Sequence, residues 1–94
     1  LREANELKWE LFLERGLSLL GKDAADIRED LKSAAWKVML AAVIKSHTSA
    51  TNVWITEKLN MGISQAVSQN VGKFHAAGGR ENQAYQQLII NITT

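Results

Sequence analysis

Thr51-Asn52-Val53-Trp54-Ile55-Thr56-Glu57-Lys58-Leu59-Asn60-Met61-Gly62-Ile63-Ser64-Gln65-Ala66-Val67-Ser68-Gln69-Asn70-Val71-Gly72-Lys73-Phe74 is the stretch on which the fold of this chain turns. Thr51 carries a hydroxyl suited to accept an amide hydrogen bond at a helix start, and Ile55 and Leu59 then share one face, which predicts a helix over 52–60. Met61 and Gly62 interrupt it as a tight turn. A second helix is predicted over 63–77, with Ile63, Val67, Val71 and Phe74 at spacings of four, four and three along its inner side. Two short helices joined by a Gly-containing turn, the second with one apolar and one polar face, meet the physical requirement for a helix-turn-helix. Burying Val67, Val71 and Phe74 turns Ser64, Gln65, Ser68, Gln69 and Lys73 outward, most of them toward the N-terminal end of a helix able to enter a DNA major groove.

The surrounding segments also read as helices. No proline occurs, so glycines and capping residues supply all the punctuation. Leu7, Leu11, Phe12, Leu17 and Leu20 recur near the helical period, predicting a first helix over 5–20 that Gly21 ends. Asp23 is placed to cap a short helix over 24–32 with Ile27 and Leu31 inward, and Ser33 to cap a third over 34–45. In that third helix Trp36, Val38, Met39, Leu40, Val43 and Ile44 leave Lys37 and Lys45 as the main polar surface, so it should be the central, most buried one. After Gly78 and Gly79, residues 81–88 suit a short helix, while 88–92 are rich in β-branched side chains, giving a weak helix with a loose end. The expected organisation is one all-α domain: N-terminal helices over 1–33, a helix-turn-helix core over 34–79 and a tail over 80–94.

Composition narrows the function classes. The chain has 94 residues, 46% of them hydrophobic, enough for one modest core. Cysteine is absent, which removes disulfides, thiolate metal sites and thiol nucleophiles together and agrees with a reducing cytoplasm. The longest apolar run, 38–44, falls far short of the ~20 residues that span a bilayer, and no signal peptide is visible. Because the chain begins with Leu1 rather than Met, it is expected to be part of a longer protein. Net charge is only +1, but its distribution is uneven: residues up to Ser33 include six basic and eight acidic side chains, and those from Ala34 onward five and two. The positive potential therefore belongs to the half that carries the helix-turn-helix pattern.

The polar face suggests a chemistry. Gln pairs with adenine N6 and N7, Ser with base edges or phosphates, and Lys73 with phosphate or guanine. The start of the preceding helix, at Thr51 and Asn52, offers free N–H groups for a phosphate, with Lys45 and Lys58 near it in sequence. Pattern alone leaves a purely structural helical hairpin equally open. Of the isolated histidines, His47 in a polar loop reads as a solvated residue rather than a ligand, and His75, at the end of the second helix, reads as an exposed bystander or a phosphate contact. Tyr85 reads as a packing or interaction residue, since no base or metal set lies near it in sequence. Trp36 and Trp54 read as core, and Trp9 as core or interface. No Gly-rich phosphate loop, useful carboxylate pair or Ser-His-Asp set is visible, so no catalytic residue, metal or cofactor is expected. The competing reading is a docking or dimerisation module that does not itself bind DNA, using the first helix through Trp9, Leu11, Phe12, Leu13, Leu17, Leu19 and Leu20 against a second copy or another domain.

Trp54-Ile55-Thr56-Glu57-Lys58-Leu59-Asn60-Met61-Gly62, followed by Val67-Ser68 and preceded by Thr48-Ser49-Ala50-Thr51, resembles the C-terminal region of REP-associated tyrosine transposases of the insertion-sequence-200-like superfamily. The pattern there is Trp-Ile-Ala-Glu-(Lys or Arg)-Leu-x-Met-Gly, then Val-Ser. The likeness covers about residues 32–71, and the segment 37–45 is similar to the family's apolar helix ahead of the Thr-rich loop. Thr56 stands where Ala is usual, and Gln69 and Asn70 where Arg is frequent, which lowers the charge expected on this face. The resemblance implies a Trp-repressor-like or replication-initiator-like helix-turn-helix in a small domain of four to six helices. It further implies DNA at element ends or palindromic repeats as partner, with strand cleavage in a nuclease domain bearing a His-hydrophobic-His metal pair and a nucleophilic Tyr. Neither the pair nor such a Tyr is present in this chain.

Overall fold

The computed structural model describes residues 2–94, and their side chains from Ala4 onward. Six α-helices follow one another: α1 (Arg2–Leu20), α2 (Ala24–Glu29), α3 (Ala35–His47), α4 (Asn52–Leu59), α5 (Ser64–Ala76) and α6 (Gln83–Thr93), with one 3-10 turn, Gly79–Glu81, before the last. No strand occurs among the described residues, so the chain is an all-α domain. Its Cα radius of gyration, 12.2 Å, equals the ~12 Å of a close-packed chain of this length.

Helix α3 forms the axis. Leu40, Ala41, Ala42, Val43 and Ile44 run consecutively without solvent exposure, because α1, α5 and α6 all pack on it. A helix apolar on every side needs neighbours on every side. Helix α1 contributes Trp9 and Leu13, with Phe12, Leu17 and Leu20 partly buried against the same core. Its approach to α3 is close at Gly16, where a Cβ would run into the Leu40 side chain. Leu7, Leu11 and Leu19 stay outside the core.

Sequence punctuation accounts for most boundaries. The Lys22 amide bonds the Leu17 carbonyl across Gly21, closing α1. Asp23 caps α2 in a reciprocal box: its carboxylate accepts the Asp26 amide at 3.0 Å, and Asp26 accepts the Asp23 amide at 3.0 Å. Thr51 caps α4 by accepting the Trp54 amide at 3.1 Å. The expected cap at Ser33 is not made. Ala34 precedes α3 with no side-chain cap, and α3 runs on through His47.

Three further expectations are corrected. Helix α2 stops at Glu29 rather than continuing to residue 32, and Leu31 is 76% exposed instead of packing beside Ile27. The cause is Asp30, drawn out of helical geometry: its carboxylate accepts the Trp36 indole N–H at 2.8 Å and lies 3.6 Å from the Lys22 ammonium. Ile63 was expected inside; it is instead 64% exposed and forms the N-cap of α5. The tail is no loose end. Asn82 caps α6 by accepting the Tyr85 amide, and Tyr85, Leu88 and Ile92 are buried against α1 and α3. Burial at i, i+3 and i+7 outweighs the modest helix cost of β-branched isoleucines. All three segments, 1–33, 34–79 and 80–94, thus supply residues to one core.

Candidate nucleic-acid interface

Helix α4 ends in a left-handed residue, Asn60 (φ 52°, ψ 57°), and the Met61 amide returns to the Thr56 carbonyl at 3.0 Å. Met61 is buried, anchoring the turn, and Gly62 follows at φ +92°, a conformation that side chains disfavour. The chain then enters α5, whose Val67 and Val71 are buried and whose Phe74 is half-buried. The outer face of α5 is the one the sequence pattern places there. Gln65, Ser68, Gln69 and Lys73 are exposed and Ser64 half-buried, and none of these side chains has a hydrogen-bond or ion-pair partner among the described residues.

Residues at the start of α4 are more committed. Thr51 is engaged as a cap. Asn52 accepts the Lys45 ammonium at 2.6 Å, so both lie together at the N-terminal end of α4. Lys58 is paired with Glu10 of α1 at 2.9 Å and sits over the Trp54 ring. A surface pair of this kind is worth ~0–1 kcal/mol and exchanges readily with another anion.

Lys37 requires a correction. Sequence placed it on the surface, yet it is wholly buried. Its ammonium donates to the Ile27 carbonyl at 2.8 Å, to that of Asp30 at 3.2 Å and to that of Asn60 at 3.4 Å. Burial pushes this lysine below its usual pKa range, and the Asp30 carboxylate opposes the shift. The positive charge of the second half is therefore not all available for a partner. Lys73 and Arg80 are exposed cations without an acidic partner among the described residues, while Lys45 and Lys58 have neutral and acidic partners.

The isolated histidines sit differently from expectation, whereas the tyrosine packs as its sequence context predicts. His47 is the last residue of α3, half-buried, its ring stacked on Phe12 and its Nδ1 3.2 Å from the Val43 carbonyl. His75 lies in the last turn of α5 against Phe74 and Tyr85, and its Nδ1 is buried without a partner. Tyr85 is a core residue; its hydroxyl lies 3.1 Å from Ser46 Oγ, which itself donates to the Ala42 carbonyl. Trp9 is buried and its indole N–H donates to Ser49 Oγ at 3.3 Å. Among the described residues no cluster of three or more His, Asp or Glu is placed to hold a metal ion, and no helix is long and apolar enough to cross a membrane.

No known protein family, curated protein or solved structure matches the chain. The site is therefore built from its own geometry. Two features of it had no sequence signal. One is a shallow groove of about 530 Å³ between α3, α5 and the start of α6, lined by Trp36, Met39 and Phe74 with Lys73 at its edge. The other is a crevice of about 290 Å³ between α4 and the start of α5, lined by Val53, Thr56, Glu57, Gly62, Ile63 and Ser64. Both depend on interhelical angles, which one-dimensional periodicity does not carry.

Proposed function

We propose that α4, the turn over 60–63 and α5 form a DNA-binding helix-turn-helix of the Trp-repressor-like kind, serving a transposase-like protein at element ends or palindromic repeats. The observation that carries the reading is the outer face of α5: four exposed polar side chains with no partner among the described residues, on a helix fixed from behind by Val67 and Val71. A helix held by its apolar side and open on its polar side is what a major groove admits. Lys45 and Asn52 at the N-terminal end of α4, and Lys58 in its last turn once it exchanges Glu10 for phosphate, would supply the contacts to the DNA backbone. Strand cleavage would belong to a separate nuclease domain, and this module would act in the cytoplasm without a cofactor. The test is titration of fluorescent hairpin and duplex DNA pools with the protein at low and moderate salt. The logarithm of the affinity should fall linearly with log salt concentration, and affinity should drop on replacing Gln65 and Lys73 together by alanine.

A second reading rests on α1. Leu7 and Leu11, one turn apart, are 66% and 59% exposed on the side away from the core. That strip fits a second copy or a neighbouring domain, and it is compatible with DNA binding through α5 on another face. Sedimentation of the protein with Leu7 and Leu11 replaced by serine tests it: self-association that survives the change removes the strip from any dimer interface.

A further inference from the structure

Resting on the DNA-binding reading, we infer that Lys32, in the loop between α2 and α3, is a phosphate contact of the same DNA interface, set beside the turn from which α5 starts. Sequence assigns the positive potential to the residues from Ala34 onward, and Lys32 lies outside them. The fold brings it across. Its stem runs along the turn between α4 and α5: a Cβ on Gly62 would stand 3.4 Å from Lys32 Cδ, and Ile63 and Ser64 follow Gly62 directly into α5. Lys32 and Asn60, the left-handed residue of that turn, line one crevice of about 440 Å³. In a helix-turn-helix the first helix crosses the DNA backbone while the N-terminal residues of the second meet base edges, so a cation at the turn between them stands over phosphate.

The loop is fastened where it stands. Lys37 donates to the Ile27 and Asp30 carbonyls on the loop side and to the Asn60 carbonyl on the turn side, and the Asn60 amide donates to the Ile27 carbonyl. A lysine on this loop therefore keeps its place relative to the start of α5, and less backbone ordering is left to be done on binding. Lys32 is exposed and has no partner among the described residues. Of the two carboxylates that line the crevice, that of Asp30 is taken up by the Trp36 indole and the Lys22 ammonium, which leaves Glu29 against Arg28 and Lys32. Arg28 also interacts with the Asp23 carboxylate, so Lys32 is the cation of this group most open to an incoming phosphate. Such a contact holds the register of the protein on the duplex and does not read sequence.

The experiment measures the affinity of the intact protein for one A·T-rich and one G·C-rich duplex over a series of salt concentrations. The parent is compared with Lys32→Gln, Lys32→Arg and Lys8→Gln, the last at an exposed lysine of α1. Lys32→Gln should lower the steepness of log affinity against log salt by about 0.9, the value of one phosphate contact on B-DNA, and should weaken binding to both duplexes by the same factor. Lys32→Arg and Lys8→Gln should keep the parent's slope, and all three variants its helical circular dichroism, because both lysines are outside the core. A slope for Lys32→Gln equal to the parent's, an equal fall in Lys8→Gln, or a loss confined to one duplex overturns this inference and leaves the DNA-binding reading standing. Absence of salt-sensitive binding of the parent to either duplex overturns both.

Discussion

The buried ammonium of Lys37 lies 3.4 Å from the backbone carbonyl of Asn60, the left-handed residue at which the chain turns from α4 toward α5. The same Nζ holds the Ile27 carbonyl at 2.8 Å, and the Asn60 side-chain amide donates to that carbonyl as well, at 3.3 Å. One side chain of α3 therefore ties the end of α2 to the turn of the helix pair. Replacing it by alanine takes the ammonium donor from the Asp30 and Asn60 carbonyls, leaves that of Ile27 with the Asn60 amide, and opens a cavity. Lys37→Ala should lower stability by about 2–4 kcal/mol, read as a shifted urea midpoint. A midpoint equal to the parent's would show that the tie is dispensable.

Two helical glycines, one at the contact of α1 with α3 and one on the open face of α5, should respond oppositely to alanine. At Gly16 a Cβ meets Leu40, so Gly16→Ala should cost about 1–3 kcal/mol. At Gly72, exposed within α5, a Cβ meets nothing within 4 Å, and Gly72→Ala should stabilise by about 0.5–1 kcal/mol. Thermal unfolding of the two variants checks the pair, and a gain at Gly16 would contradict the packing described.

Acid should loosen α2 before the rest of the molecule. The Asp26 amide holds the Asp23 carboxyl below its usual range, so folding favours the ionised form. The contribution is present above the unfolded pKa and is lost as pH falls through the lowered one. Amide resonances of Ala24, Ala25 and Asp26 should therefore shift together below about pH 4. Asp23→Asn, which caps nearly as well without a charge, should remove that titration; its persistence would place the titrating group elsewhere.

Tyr85 reports the docking of α6. Removing only its hydroxyl, in Tyr85→Phe, forfeits the Ser46 bond and should cost about 0.5–1.5 kcal/mol, whereas Tyr85→Ala should cost about 3–5 kcal/mol, as large core truncations do. Hydrogen exchange over 83–93 that stayed as slow in Tyr85→Ala as in the parent would contradict α6 being held by this ring.

Where a single residue acts on its own neighbours in sequence, the chain was readable. The Asp23 and Thr51 caps, the end of α1 at Gly21 and the polar face of α5 all follow from local hydrogen-bonding chemistry or helical spacing. Reading failed where a distant partner outbid the local rule. Asp30 leaves α2 for Trp36, Lys37 turns inward to carbonyls from two other segments, and the isoleucine-rich end of α6 is helical because α1 and α3 cover it. Ile63 was placed inside by its four-residue spacing to Val67, but it stands before the first helical turn, where that spacing no longer fixes direction.

The central claim concerns which face meets DNA, and amide chemical-shift mapping during titration with a short duplex at low salt tests it most directly. The account predicts perturbations concentrated at Thr51, Asn52 and along α5 from Ser64 to Lys73, weakening as salt is added. Perturbations confined to the Leu7 and Leu11 side of α1, or a spectrum unchanged by DNA, would contradict it.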